Sequence, residues 1–365
     1  MAITKIPAAG FTGNNFRNII INGDMSIAQR GTSVNVGNND NGYHTIDRWL
    51  FFESGSPTAV FTMSQDTDVP TGQGFATSLK MDCATAQGSL GAGDLLRIEQ
   101  RFEGQNLQYL KKGTPSAESL TMSFWVKSNK TGTYIAELND SDNGRQISKS
   151  YTIDSASTWE KKTLTFEGDT TGTIDNDNAL SLVARWWLAA GTDFTSGTLA
   201  TTWQANDNAD RAVGQVNLAD STSNEWYITG VQLEVGSAAS DFEFLPYDVN
   251  LGRCERYYQV FNYVSGGAIC IGNSNTSTTV AGAFDFNTMR TAPTATLPTA
   301  GQTTGTASYL AAGGAYPTTT GTFTAESINI KNFRLKGNSY SGLNSGGVSW
   351  CYSNGNTSIK LDAEL

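Results

Sequence analysis

The feature that most constrains this chain is a two-residue rhythm, repeated run after run before residue 236. Leu120, Met122, Phe124 and Val126 alternate with Thr121, Ser123, Trp125 and Lys127. Successive side chains of a strand point to opposite faces, so such a run has one apolar and one polar side. Thr131 and Gly132 then turn the chain into 133–138, a hairpin partner. Runs at 47–52, 58–65, 78–83, 95–103, 145–153, 159–167 and 179–190 continue the series between Gly-, Pro- and Thr-rich loops. Over 225–235, Tyr227, Thr229, Val231, Leu233 and Val235 alternate with Trp226, Ile228, Gly230, Gln232 and Glu234, which predicts one strand with one buried face. No segment of helical length and period interrupts the series. The expectation is two antiparallel sheets packed face to face.

The rhythm stops at Gly236 and Ser237, and Pro246 ends the next short run. Asp248 is suited to cap a helix. Leu251, Cys254, Tyr258 and Phe261 then fall on one helical stripe. This divides the chain into an arm (1–16), a β-sandwich domain (17–247), a linker helix (248–262) and a smaller β-sandwich (263–365). In the last part, strand-like runs occupy 267–272, 279–286, 327–335, 347–353 and 358–365. Within 327–335, Ile328 and Ile330 share one parity while Phe333 and Leu335 take the other, so a bulge or a change of buried face is needed. No internal repeat is visible, which argues against a β-helix.

Charge and residue chemistry exclude several functions. The 365 residues carry a net charge of −10, so a basic surface for phosphate backbones is not expected, and no nucleic-acid partner is assigned. Charged residues are 16 % and aromatics 10 %, which fits a turn-rich folded chain and not disorder. Cys83, Cys254, Cys270 and Cys351 lack CxxC spacing, and His44 is the one histidine, so neither a zinc site nor a catalytic triad is assembled. The cysteines are expected to be buried thiols. The first residues, MAITKIPAAGF, contain no apolar core of signal-peptide length, and no run is long enough to span a membrane; synthesis in a reducing cytoplasm without membrane insertion is the expectation. Residues 88–94, GSLGAGD, precede a strand and not a helix, so they read as a loop and not a phosphate cradle. With no GxSxG and no β-helix, the expectation is a non-enzyme.

Candidate ligand residues are aromatic, because the C–H face of a sugar stacks on a flat ring. Trp186, Trp187 and Trp203, with Asn206 and Asp207 nearby, are one group; Tyr309, Tyr316 and Tyr340, in Gly-rich segments, are another. Of Trp186 and Trp187, alternation turns one to the core and the other to solvent, a partner or a ligand. Asp24, in the Asn-Gly-Asp turn, is the candidate ligand for a structural calcium; no other cofactor is expected.

A series of segments resembles one family. RNIIINGDMSIAQRGTS (17–33), DRW (47–49), IEQRFEG (98–104), SLTMSFWVKSNKTGTY (119–134), STWEKKTLTFEGDTTG (157–172), ITGVQLEVG (228–236), DFEFLPY, CERYYQ (254–259), FNTMRTAPT (286–294) and the terminal DAEL are similar to phage tail-fibre and tail-associated structural proteins. The first domain also resembles the galactose-binding-like jelly rolls of carbohydrate-binding modules, through its NGD turn. The resemblance implies an all-β chain whose jelly roll is followed by a short linker helix and a smaller sandwich. It implies a tail fibre or receptor-binding protein of the virion, adhering to host surface polysaccharide, docked to other tail proteins by its N-terminal arm, and homotrimeric. The alternative is a capsid decoration, knob or tail-adaptor protein with a purely structural role.

Overall fold

The computed structural model describes residues 16–264, 268–297, 307–311, 322–338, 348–353 and 357–365, with 307–311 and 348–353 described as backbone. It is an all-β protein in two compact units, Met1–Pro246 and Tyr247–Leu365.

Among its described residues the first unit contains one short α-helix, α1 (Thr192–Thr195), and thirteen strands. They are β1 (Ser33–Gly37), β2 (Gly42–Tyr43), β3 (Leu50–Ser54), β4 (Val60–Asp66), β5 (Ser78–Thr85), β6 (Leu95–Glu103), β7 (Leu120–Ser128), β8 (Gly132–Asp140), β9 (Arg145–Ile153), β10 (Glu160–Phe166), β11 (Leu180–Ala190), β12 (Gln204–Ala205) and β13 (Glu225–Val235). The first sheet runs β1-β4-β5-β13-β7-β10 and the second β12-β9-β8-β11-β6-β3-β2. The core lies between them. Met63, Leu79, Met122, Phe124, Val126 and Leu233 face Phe51, Ile98, Leu138, Leu182, Trp186 and Leu188, all essentially unexposed. Trp186 sits at the centre, 5.3 Å from Trp49 and 6.1 Å from Phe124 between ring centroids.

Two departures from simple alternation matter. β13 is bulged: its register with β7 shifts between Thr229 and Gln232. Gly230 adopts φ +61° there, against the Phe75 ring. Trp226 and Ile228 face the core before the bulge, and Val231 and Leu233 after it. The single apolar parity expected for this strand is therefore corrected, because one extra residue reverses the phase. The second departure is the run 16–27, which is not a strand but a crossing segment held by side chains. Asn18 Oδ1 accepts from Ile20 N and Leu233 N, and Gln100 both donates to and accepts from the Ile21 backbone. Asn22 donates to the Ile27 and Asp47 carbonyls, while Trp49 Nε1 donates to the Asn22 carbonyl. Gly23 is required: a Cβ there would stand 2.1 Å from the Val231 carbonyl oxygen.

The second unit opens with helix α2 (Tyr247–Glu255) and continues as β14 (Tyr258–Tyr263), β15 (Ala268–Thr276), β16 (Thr279–Asp285), β17 (Thr294–Thr296), β18 (Ala307–Ala311), β19 (Thr322–Glu326), β20 (Asn332–Asn338), β21 (Val348–Ser353) and β22 (Thr357–Asp362). Its sheets run β14-β22-β17 and β18-β21-β15-β16-β20-β19, sharing a core of Val280, Phe284, Met289, Phe333, Leu335, Ile359 and Leu361. The helix expected over 248–262 ends at Glu255. Tyr258 and Phe261 belong to β14, whose ladder with β22 uses the β-prone sequence YQVFNY. Asp248 lies in the first turn of α2 and not before it. The parity conflict at 327–335 is resolved without a bulge: β20 begins at Asn332, so Phe333 and Leu335 share its buried side and Ile330 is exposed outside it.

Candidate functional site

The sequence-selected residues scatter. Trp186 and Trp187 are both fully buried, so neither ring can stack on a ligand. Trp186 faces the core, as alternation requires of one of the pair. Trp187 points outward from β11 but is covered by Phe194 of α1 (Thr192–Thr195), centroid to centroid 5.6 Å, and its Nε1 donates to Glu137 Oε2 at 2.9 Å. Trp203 is half-buried at a loop end; its Nε1 donates to the Glu167 carbonyl and Lys112 Nζ lies 5.1 Å from its ring centroid. Asn206 accepts from Asn139, and Asp207 caps a turn through Ala209 N. Tyr309 is on the β18 backbone, while Tyr316 and Tyr340 lie outside the described residues. Asp24 Oδ1 accepts from the Ser26 hydroxyl at 3.1 Å. Among the described residues no three His, Cys, Asp or Glu side chains gather as a metal site. His44 Nε2 lies 3.0 Å from the Asp40 carbonyl oxygen, in a turn. The thiol of Cys83 is buried, which pushes its pKa up to about 11; Cys254 and Cys270 are buried as well.

The structure instead gathers aromatic and charged groups on the outward faces of the two sheets of the first unit. On the first sheet, register aligns Ser64, Lys80, Tyr227 and Lys127 across four strands. Trp159, just ahead of β10, completes this row. Thr229, Trp125 and Lys161 form the next row. Lys127 Nζ lies 4.1 Å from the Tyr227 centroid and 5.6 Å from that of Trp159, and it pairs with Asp68. Trp159 Nε1 donates to the other Asp68 oxygen at 2.9 Å. Lys80 Nζ is 3.1 Å from Glu225 and 5.3 Å from the Tyr227 centroid. Burial would raise the Asp68 carboxyl, but the Lys127 ammonium and the Trp159 N–H hold it below the usual range. Burial pushes the Tyr227 hydroxyl up to about 12. Trp125 and Trp159 are half-buried, each a flat apolar surface beside fixed hydrogen-bonding groups.

Sequence reasoning missed this row. Alternation puts Trp125 on the polar side of its strand, but one buried face for the whole of 225–235 hides that Tyr227 and Leu233 lie on opposite sides; the signal that could have found this is Gly230 inside the strand.

The outward face of the second sheet is different. One row reads Leu50, Glu99, Arg185, Glu137, Ser148 across β3, β6, β11, β8 and β9; the next pairs Phe52, Arg97 and Trp187. Arg185 bridges Glu99 at 3.2 Å and Glu137 at 2.9 Å. Arg97 and Arg101 also reach Glu99, at 2.9 and 2.7 Å, and Arg211 reaches Glu137 at 2.9 Å. Burial alone would raise both glutamates. Arg97, Arg185 and Arg101 hold Glu99 down at about 2, and Arg211, Arg185 and Arg97 do the same for Glu137. Phe194, Leu199 and Ala212 lie over this network.

No protein-family model matches the chain, and no curated protein matches it. Solved structures do align. The enzymatically active domain of tailspike protein 4 of bacteriophage CBA120 is 15 % identical, with a TM-score of 0.33, over 60 % of this chain and 22 % of the tailspike, so the chain matches about a fifth of that protein's length. A family 11 carbohydrate-binding module from Clostridium thermocellum, in complex with a β-1,3-1,4-mixed-linked tetrasaccharide, is 12 % identical, with a TM-score of 0.27, over 57 % of this chain and 98 % of the module. The module TmCBM61, in complex with β-1,4-galactotriose, is 10 % identical, with a TM-score of 0.25, over 60 % of this chain and 99 % of the module. Scores this low carry no argument about the site.

Proposed function

We propose that this chain is a non-enzymatic, glycan-binding structural protein of a phage virion, a tail fibre or receptor-binding protein that holds host surface polysaccharide on the outward face of its first sheet. The observation that carries the binding reading is the pair of half-buried rings, Trp125 and Trp159, set on a rigid sheet beside Lys80, Lys127, Asp68 and Glu225. Flat apolar rings with fixed polar neighbours suit a sugar, whose C–H face stacks while its hydroxyls exchange hydrogen bonds. Asp68 accepts from Lys127 and from the Trp159 N–H, the place of a fixed hydrogen-bonding group and not of a proton donor. The virion assignment rests on the resemblance of segments such as ITGVQLEVG and CERYYQ to tail-associated proteins. Homotrimeric assembly would raise weak per-site affinity through avidity.

The test is a glycan array probed with the full chain and with a Trp125→Ala/Trp159→Ala variant. Array signal that disappears in the variant supports the reading. Signal that survives it removes this face as the site, and release of reducing sugar from a bound polysaccharide would overturn the non-enzymatic part.

A further inference from the structure

On the second sheet's outward face four guanidinium groups, of Arg97, Arg101, Arg185 and Arg211, share the carboxylates of Glu99 and Glu137. Of the four, Arg97 is the one set between two rings. Its Nε donates to Glu99 Oε2 at 2.9 Å, and its two Nη atoms donate to no described residue. The side chain is 6 % exposed, yet neither Nη is among the buried atoms sealed without a partner, so both still meet solvent. The guanidinium carbon lies 4.3 Å from the Phe52 ring centroid and 5.4 Å from that of Trp187, so two rings fix its position. Burial and the neighbouring Arg185 push the Arg97 pKa down to about 9. A guanidinium keeps its proton in proteins, so the group stays cationic there.

We propose that the paired Nη atoms of Arg97, framed by Phe52 and Trp187, form a slot for the carboxylate of an acidic sugar. The guanidinium fork matches the two oxygens of a carboxylate, and burial makes a charge-assisted pair stronger than it would be in open water. Half-buried Phe52 offers the sugar ring an apolar wall, and Glu99 holds the fork's orientation through Nε. The slot lies on the opposite sheet from Trp125 and Trp159. It extends the glycan-binding reading to a charged class of ligand and can fail while that reading stands.

An NMR titration of the full chain with D-glucuronate, D-glucose and inorganic sulfate tests the slot. Glucuronate should shift the Arg97 and Phe52 resonances and glucose should not. Arg97→Gln should weaken glucuronate by about tenfold or more, the loss expected for a bidentate charged contact. Glu326→Gln, on β19 of the second unit, should leave glucuronate binding unchanged. Arg97→Lys keeps the charge without the fork; folded by circular dichroism, it should also bind weakly, and it carries the test if the Gln variant does not fold. No glucuronate binding, equal binding of glucose, sulfate binding tighter than glucuronate, or wild-type affinity in Arg97→Lys would each overturn the slot.

Discussion

Trp125 and Trp187 both point away from the core, one from each sheet, and they end in opposite environments. Trp125 is half-buried beside Thr229 and Lys161, whereas Trp187 is fully buried beneath Phe194. Alternation decides which side of a sheet a residue takes, but not whether that side meets water. On the second sheet the segment that carries Phe194, Leu199 and Arg211 lies on the outward face and turns it into a small second core. The first sheet has lysine–carboxylate pairs with solvent access; the second has buried arginine–glutamate pairs that cannot be separated cheaply.

That contrast can be broken by substitution. The largest effects belong to the covered face and the core. Glu137→Ala should cost about 3–5 kcal/mol in urea unfolding, because it leaves Arg185 and Arg211 buried without their partner. Trp186→Ala should cost a similar ~3–5 kcal/mol through the cavity it leaves. A loss below about 1 kcal/mol in either variant would mean that the second sheet is not packed as described. Next comes acid. Glu99 and Glu137 titrate at about 2 in the folded chain against 4.5 for an unperturbed glutamate, so their contribution is complete above 4.5 and is lost as pH falls towards 2. Thermal midpoints should drop steadily across that interval. A flat profile there contradicts the buried network.

The open face should respond in binding and not in stability. Trp125→Ala should shift unfolding by about 1 kcal/mol or less, as surface substitutions do, while weakening glycan binding by about tenfold. If stability falls as far as in Trp186→Ala, the ring is structural and the contrast between the faces fails. The smallest effect belongs to the Lys80–Asp82 pair, 3.7 Å apart with Asp82 45 % exposed. Asp82→Asn should change stability by about 0.5 kcal/mol or less, and salt should remove even that difference.

Much of the strand pattern was legible in advance. Runs read at 95–103 and 145–153 coincide with β6 and β9, because long, turn-bounded alternation has few competing explanations. Short partners such as β2 and β12 carry too few residues to show a period. β14 was misread because Leu251, Cys254, Tyr258 and Phe261 happen to fit a helical spacing; only pairing with β22 discloses the strand. The segments that carry the family resemblance were informative in a different way. Asn18, Asn22, Trp49 and Gln100 all fasten the crossing segment, so they describe how the sandwich closes and not what it binds.

The amino-acid order by itself determined that this chain is pleated and turn-rich, and which sides of most strands are apolar, since those properties follow from neighbours one or two residues apart. Three dimensions decided the rest. The bulge at Gly230 sends Tyr227 outward to meet Lys80 and Lys127, and the loop after β11 seals Trp187 while leaving the Arg97 fork in contact with solvent. Both outcomes depend on contacts between residues far apart in the chain, whose cost and gain are settled only when the sheets have closed on each other.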